Sequence, residues 1–235
     1  MTHHARPARW FDADYYYGTG KSLLQGGMGI DSTLALKARI VQEALPENPL
    51  LDVGCGLGML VNRLCMQGRT AYGIDWSPVV PSLRLSPFCY QADASRLPFA
   101  DRSMGGVCSF DLLEHLPLAQ IPQVLREIIR VGREFFLWIS CSLDRNLGDI
   151  SAWPGQDRSH VSFYTPIWWC KQCAEVLPPE RTQIHIASFP TLIEQGEVLG
   201  GCLIWSRPDG PGPAWEELAA RERRQFQLRF GVSRA

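Results

Sequence analysis

The stretch Leu51-Asp52-Val53-Gly54-Cys55-Gly56-Leu57-Gly58 sets three glycines at alternate positions between a short apolar run and an amphipathic segment. Glycines in that setting let the main chain approach a ligand closely. The N-terminus of a following helix adds N–H donors and positive potential. Asp75 stands 21 residues after Gly54, at the end of the next apolar run. A carboxylate so placed can accept both hydroxyls of a ribose. Further on, His115, His160 and Asp144 are the side chains able to take a proton from a nucleophile. His160 lies in Asp157-Arg-Ser-His-Val-Ser-Phe-Tyr-Thr-Pro166, which leads from a long polar segment into a helix start, so it is expected to face a substrate. His115 follows Glu114 at a turn. It reads either as a ring packed beside the site or as a second catalytic imidazole.

The elements that must hold these groups follow from the apolar pattern. Strands are expected at Leu50–Val53, Thr70–Ile74, Phe88–Gln91, Gly106–Phe110 and Glu134–Cys141, with helices at Leu57–Gln67 and Leu118–Val131 and a short one after Ser77-Pro78. Short buried strands separated by helices mean βαβ units and a parallel sheet covered on both faces. Thr165-Pro166 opens a helix to Val176 as N-cap and first turn. Gln183–Phe189 and Gly201–Ser206 then form the antiparallel edge, which makes seven strands. The expected fold is α/β: a doubly wound, mostly parallel seven-stranded sheet with helices on both faces. Residues 1–235 read as one domain, with an N-terminal cap or lid over 1–48, a site-forming half over 49–140, a substrate-side half over 141–208 and a terminal helix within 209–235.

Composition narrows the function class. The chain has 235 residues, 46% of them apolar and 20% charged, with a formal net charge of −1. Near-neutral charge argues against a nucleic-acid coat protein or a membrane-surface binder. No apolar run reaches the ~18 residues of a spanning helix, and the first ten residues lack the apolar stretch of a secretory leader. The eight cysteines sit mostly in apolar stretches and read as reduced thiols of a cytoplasmic protein. Cys170-x-x-Cys173 is a single pair and predicts no zinc site. Gly18-Thr-Gly-Lys-Ser22 lacks the preceding strand and glycine of a phosphate loop.

The Gly-x-Gly-x-Gly spacing, rather than Gly-x-Gly-x-x-Gly, resembles the class I S-adenosylmethionine-dependent methyltransferases. Asp52-Val-Gly-Cys-Gly-Leu-Gly58 is similar to that family's first motif, around the methionine part of the cofactor. Gly73-Ile-Asp75 is similar to its ribose-binding acidic position. Gln91-Ala-Asp93-Ala94 is similar to the segment that holds adenine, and Ser109-Phe110-Asp111-Leu-Leu-Glu114-His115 to the fourth motif, beside the methyl group. The resemblance covers residues about 50 to 140, continues weakly through His160–Pro166, and implies a Rossmann-like methyltransferase fold. It also implies S-adenosylmethionine as cofactor, with Asp52, Gly54, Cys55, Gly56, Asp75, Trp76, Asp93, Ala94 and Phe110 around it.

Methyl transfer from a sulfonium needs alignment, exclusion of water, and a base only where the nucleophile carries a proton. Catalytic roles are expected for His160 and His115, and acceptor contacts for Tyr16, Tyr17, Trp153, His160 and Tyr164. Aromatic density around Trp153, Phe163, Tyr164 and Trp168 suggests a small apolar or aromatic acceptor, methylated on O or N. Asp111-x-x-Glu114-His115 with a distant His160 resembles the ligand set of metal-assisted O-methyltransferases. Asp111 stands where that pattern has Glu, and Leu113 offers no ligand, so no metal is expected. An RNA or protein methyltransferase is the alternative, and a catalytically silent binding subunit with the same fold a second one.

Overall fold

The computed structural model describes residues 11–17, 30–142, 146–150, 157, 159–178, 181–187 and 199–206. In chain order these form α1 (Ala13–Tyr17), α2 (Ile30–Ala44), β1 (Leu50–Val53), α3 (Met59–Met66), β2 (Ala71–Asp75), α4 (Val80–Leu83) and β3 (Cys89–Gln91). There follow β4 (Met104–Phe110), a 3₁₀ turn (Leu113–His115), α5 (Ile121–Val131), β5 (Gly132–Ser142), α6 (Pro166–Ala174), β6 (Thr182–Ala187) and β7 (Leu199–Ser206).

The seven strands make one sheet in the order β3-β2-β1-β4-β5-β7-β6. The first five pair in parallel, whereas β7 pairs antiparallel with both β5 and β6. The chain runs outward through β1, β2 and β3, then returns to lay β4 on the other side of β1. That reversal opens a crevice beyond the C-terminal ends of β1 and β4, the place where open α/β sheets take ligands.

Strand alternation assigns side chains to two apolar layers. In β5, Phe136 joins the layer under α2 and α3, while Leu137 and Ile139 join the layer under α5 and α6. In β7, Leu203 and Trp205 face the first layer, and Cys202 and Ile204 the second. Helix α5 shows the cause plainly. Its Ile121, Val124, Leu125, Ile128 and Val131 fall on one stripe and are buried. Glu127 shares that stripe because its carboxylate accepts from the Leu97 amide at 2.7 Å and from Arg130.

Local boundaries differ from expectation where backbone geometry intervenes. Helix α3 starts at Met59, not Leu57, because Gly58 is left-handed at φ +79°. Helix α5 starts at Ile121, not Leu118, because Pro117–Gln120 closes a turn first. The Thr165 cap is as expected, its hydroxyl accepting from the Trp168 amide at 3.3 Å. Helix α2 is absent from the expected elements. Trp153, Asp144, the Tyr17 side chain and the terminal helix lie outside the described residues, as do residues 1–10 and 18–29 of the expected cap.

Candidate active site

The crevice is built on the turn after β1. The amides of Gly54 and Cys55 both donate to the Ile74 carbonyl, at 2.8 and 3.0 Å, which ties the glycine loop to the end of β2. Gly56 has φ +54°, and a Cβ there would fall 3.2 Å from the Tyr16 ring. The Asp75 carboxylate is oriented by main chain: Oδ2 accepts from Gly56 N and Oδ1 from Ser77 N, each at 2.8 Å. One amide per oxygen leaves each with further acceptor capacity. The Tyr16 hydroxyl reaches Oδ1 at 3.4 Å. This glycine cradle and two-oxygen acceptor fit a nucleoside. Burial raises the Asp75 carboxyl, and the Ser77 and Gly56 amides pull it back.

Other expected cofactor residues are distributed around this cradle. Asp52 is buried beneath it, pushed up to about 7 by burial while Lys37 opposes the rise. Trp76 and Asp93 are exposed, and Asp93 Oδ1 accepts from both the amide and hydroxyl of Ser95 at 2.8 Å. Ala94 is half-buried nearby, and Cys55 lies against Gly73. Phe110 ends β4 and packs on Phe136 and Trp138, so it belongs to the wall beneath the site.

The histidines meet. The rings of His115 and His160 lie 4.7 Å apart, centre to centre, and His160 stacks on Phe163 at 5.2 Å. Each is held from a different element. His115 ends the 3₁₀ turn after β4, and its Nδ1 bonds Ser159 Oγ at 2.8 Å. Ser159 Oγ in turn donates to Asp157 Oδ1 at 2.5 Å. His160 is brought in by main chain: the Glu114 carbonyl accepts from the amides of Val161 and Ser162, at 3.0 and 2.9 Å. Burial, followed by the charge of His115, lowers His160 to about 4, so it is neutral at physiological pH.

Two carboxylates behind the imidazoles behave oppositely. Burial would raise Asp111, yet the Lys37 ammonium at 2.8 Å and the Ser140 hydroxyl at 2.7 Å hold it low. Burial, then the charge of Asp111, raises Glu114 well above the carboxylate range. Its Oε1 accepts from Ser140 N at 3.0 Å, while Oε2 has no hydrogen-bond partner.

Of the expected acceptor residues, Tyr16 stands on the Asp75 side, in an edge-to-face ladder with Tyr15 and Phe11. Tyr164 stacks on Trp168 at 4.0 Å in the layer under α6, not in that ladder. Sequence reasoning gave no role to Lys37, Tyr15, Asp157 or Ser159. Lys37 carried a faint signal, being one of three lysines in the chain and lying among the apolar positions Leu36, Ala38, Ile40 and Val41.

Known proteins share the domain and the fold. Residues 51–134 match the methyltransferase domain family. An 83-residue stretch is 31% identical to the 23S rRNA (uracil(1939)-C(5))-methyltransferase RlmD of Cupriavidus necator, covering 35% of this chain and 19% of that protein. The chain thus spans about a fifth of that relative's length. Among solved structures, geranyl diphosphate C-methyltransferase of Streptomyces coelicolor A3(2) shares the fold. Its TM-score is 0.57 at 12% identity, over 85% of this chain and 96% of that one. A SAM-dependent methyltransferase of Archaeoglobus fulgidus gives a TM-score of 0.56 at 15% identity, over 85% and 87%. The [4+2]-cyclase SpnF gives 0.55 at 16%, over 81% and 85%.

Proposed function

We propose that the chain, whose residues 51–134 match the methyltransferase domain family, is a class I S-adenosylmethionine-dependent methyltransferase and that it methylates an oxygen or nitrogen of a small, apolar or aromatic molecule. The observation that carries this reading is the adjacency of the nucleoside cradle and the imidazole pair. Phe11 spans the two, its ring edge-on to His115 and its carbonyl accepting from Ser77 beside Asp75.

When bound, S-adenosylmethionine supplies a methyl group on a sulfonium, already activated for in-line displacement. The chain's part is to align the two reactants and exclude water. Asp75 accepts the ribose hydroxyls, the loop from Gly54 to Gly56 runs beside the methionine part, and Asp93 with Ala94 takes the adenine. Asp52, Cys55, Trp76 and Phe110 complete the surroundings. His160 and His115 engage the acceptor, with Tyr16, Tyr17, Trp153 and Tyr164 as its apolar walls. Residues 49–140 serve the cofactor and 141–208 the acceptor within one domain. Among the described residues no helix is long and apolar enough to cross a membrane, and a cytoplasmic site of action goes with this reading.

The short match to an rRNA methyltransferase favours RNA as a second acceptor class. A net charge of −1 weighs against it, since phosphate contacts dominate RNA affinity. A silent subunit is the third reading, and the cyclase shows that the fold alone does not entail transfer. Incubation of the protein with methyl-tritiated S-adenosylmethionine and fractionated cell extract separates the three. Label in the low-molecular-weight fraction supports the proposal. Label in RNA replaces it with the second reading, and tight cofactor binding without transfer to any fraction replaces it with the third.

A further inference from the structure

We propose that Cys170 is a peroxide-reactive thiol and that Cys202 captures its oxidised form, closing a reversible disulfide that clamps α6 to β7. All eight cysteines carry free thiols. Cys202 lies in β7 with no exposed surface, and its Sγ is 4.0 Å from the Pro166 carbonyl oxygen in the first turn of α6. Cys170 stands four residues further along that helix, on the same face as Pro166. A helical side chain leans toward the N-terminus of its own helix, so Cys170 points back over the turn that covers Cys202. The two thiols, brought from helix and sheet into one apolar layer, are hydrogen-bonded to each other.

The spacing Cys170-x-x-Cys173 draws attention to a pair within the helix, yet the two differ in surroundings. Cys173 is buried in the apolar layer and pushed up to about 12 by burial, then by the charge of Cys170. Cys170 is half-buried, and its contact with Cys202 lowers it to about 7 against the opposing effect of burial. Much of it is then thiolate at neutral pH, the form that attacks an oxidant. Cys202 is raised, first by Cys170 and then by burial, so it keeps its proton until Cys170 has been oxidised. The other half-buried cysteines lack this poise. Cys55 is held well above the ordinary thiol value by Cys89 and by burial. Cys65 gives its S–H to the Ala71 carbonyl at 3.6 Å. An accessible acidic thiol beside an enclosed second thiol is the usual build of a cysteine pair that senses oxidants in a reducing compartment.

The oxidant is hydrogen peroxide. The Cys170 thiolate attacks one peroxide oxygen, an S–O bond forms as the O–O bond breaks, and the departing hydroxide takes a proton to become water. Cys202 sulfur then attacks Cys170 sulfur. The S–S bond forms as the S–O bond breaks, and the oxygen leaves as a second water with the Cys202 proton. In sum two thiols lose two electrons and two protons, and one peroxide becomes two waters. A dithiol reductant reverses the change by thiol–disulfide exchange. The new bond encloses residues 171–201 and so restricts the unfolded chain. It fixes α6 next to the Tyr164–Trp168 stack, where the segment carrying His160 ends. None of this depends on which acceptor the protein methylates.

The test treats the purified, reduced full chain with hydrogen peroxide, blocks the remaining thiols with N-ethylmaleimide and maps the peptides by mass spectrometry. A link between Cys170 and Cys202 that dithiothreitol removes is expected. In Cys202→Ala the oxidation of Cys170 should stop at the sulfenic acid, trapped as a dimedone adduct, while Cys173→Ala should leave the Cys170–Cys202 link intact. A Cys170–Cys173 link in its place, or dimedone on another cysteine ahead of Cys170, overturns the assignment. Should Cys202→Ala fail to fold, the wild-type map decides, and no Cys170–Cys202 link under excess peroxide overturns it as well. The clamp has its own readout. Oxidised wild-type protein should melt about 5–10 °C above the reduced form, the gain vanishing with dithiothreitol. A midpoint that stays put or falls in protein carrying the link overturns the clamp.

Discussion

The Lys37 ammonium lies 2.8 Å from Asp111 Oδ2 and 5.1 Å above the centre of the Phe110 ring, so one lysine of α2 steadies the end of β4. Asp111 needs that support. Its φ of +55° is left-handed, a conformation rarely adopted by residues other than glycine. The Lys37 side chain is 14% exposed and that of Asp111 37%, so solvent screens only part of the pair. Lys37→Met should cost about 1–2 kcal/mol, most of it from leaving the carboxylate unpaired. Urea unfolding at constant m-value measures it, and an unchanged midpoint would remove Lys37 from the account.

Asp75→Ala deletes an acceptor already aimed by two amides. The loss of charge-assisted bonds to the ribose should weaken S-adenosylhomocysteine by about 1.5–3 kcal/mol, roughly 10- to 150-fold. Tyr16→Phe should act the other way, because the Tyr16 hydroxyl competes for Oδ1. A several-fold gain in affinity by calorimetry is expected. Unchanged binding in Asp75→Ala excludes Asp75 as the ribose acceptor.

Gly58 is more demanding than the two glycines singled out from the sequence. Its φ is +79°, and an added Cβ would sit 2.2 Å from Cys89 Sγ. Gly58→Ala should lose at least about 2 kcal/mol, from left-handed strain and collision together. In the double variant with Cys89→Ala the collision disappears while the strain stays. The double variant should therefore be less destabilised than the sum of its two singles, and strict additivity in denaturant midpoints would refute the contact.

Asp52 gives the protein a pH signature. Its folded carboxyl is pushed up to about 7, above the ordinary value of 3.8. The protonated form is favoured by folding, so this contribution is fully present below about pH 4 and is lost as pH rises toward 7. A shift of this size corresponds to roughly 4 kcal/mol at most. Asp52→Asn should flatten the slope of unfolding free energy between about pH 4 and 7. An identical slope in the variant would mean that other groups set it.

The cofactor-side geometry was legible in the sequence because its determinants are local. The glycine loop, the strand before it and Asp75 lie within 26 residues, and the apolar runs around them are short and regular. Helix α2 escaped because it follows closely spaced glycines in the sequence and was read as part of the N-terminal cap over 1–48. The acceptor side was legible only in part. His115 and His160 stood out by residue type, but Ser159 reaches His115 across 44 positions and Lys37 reaches Asp111 across 74. Such pairs are created by tertiary packing and leave no periodic trace. The place of β7 between β5 and β6 is likewise a matter of long-range pairing.

The double hydrogen bond that the Glu114 carbonyl accepts from Val161 and Ser162 is made entirely by main chain. The segment from Asp157 to Tyr164 is therefore moored by peptide groups that every residue but proline possesses at these donor positions. The link therefore does not depend on which residue types follow one another along the segment, whereas the side chains of Ser159, Val161, Ser162 and Phe163 are themselves buried and fixed by packing. A substitution here is felt through packing and side-chain contacts, while the peptide link between the two imidazole-bearing turns stays as it is.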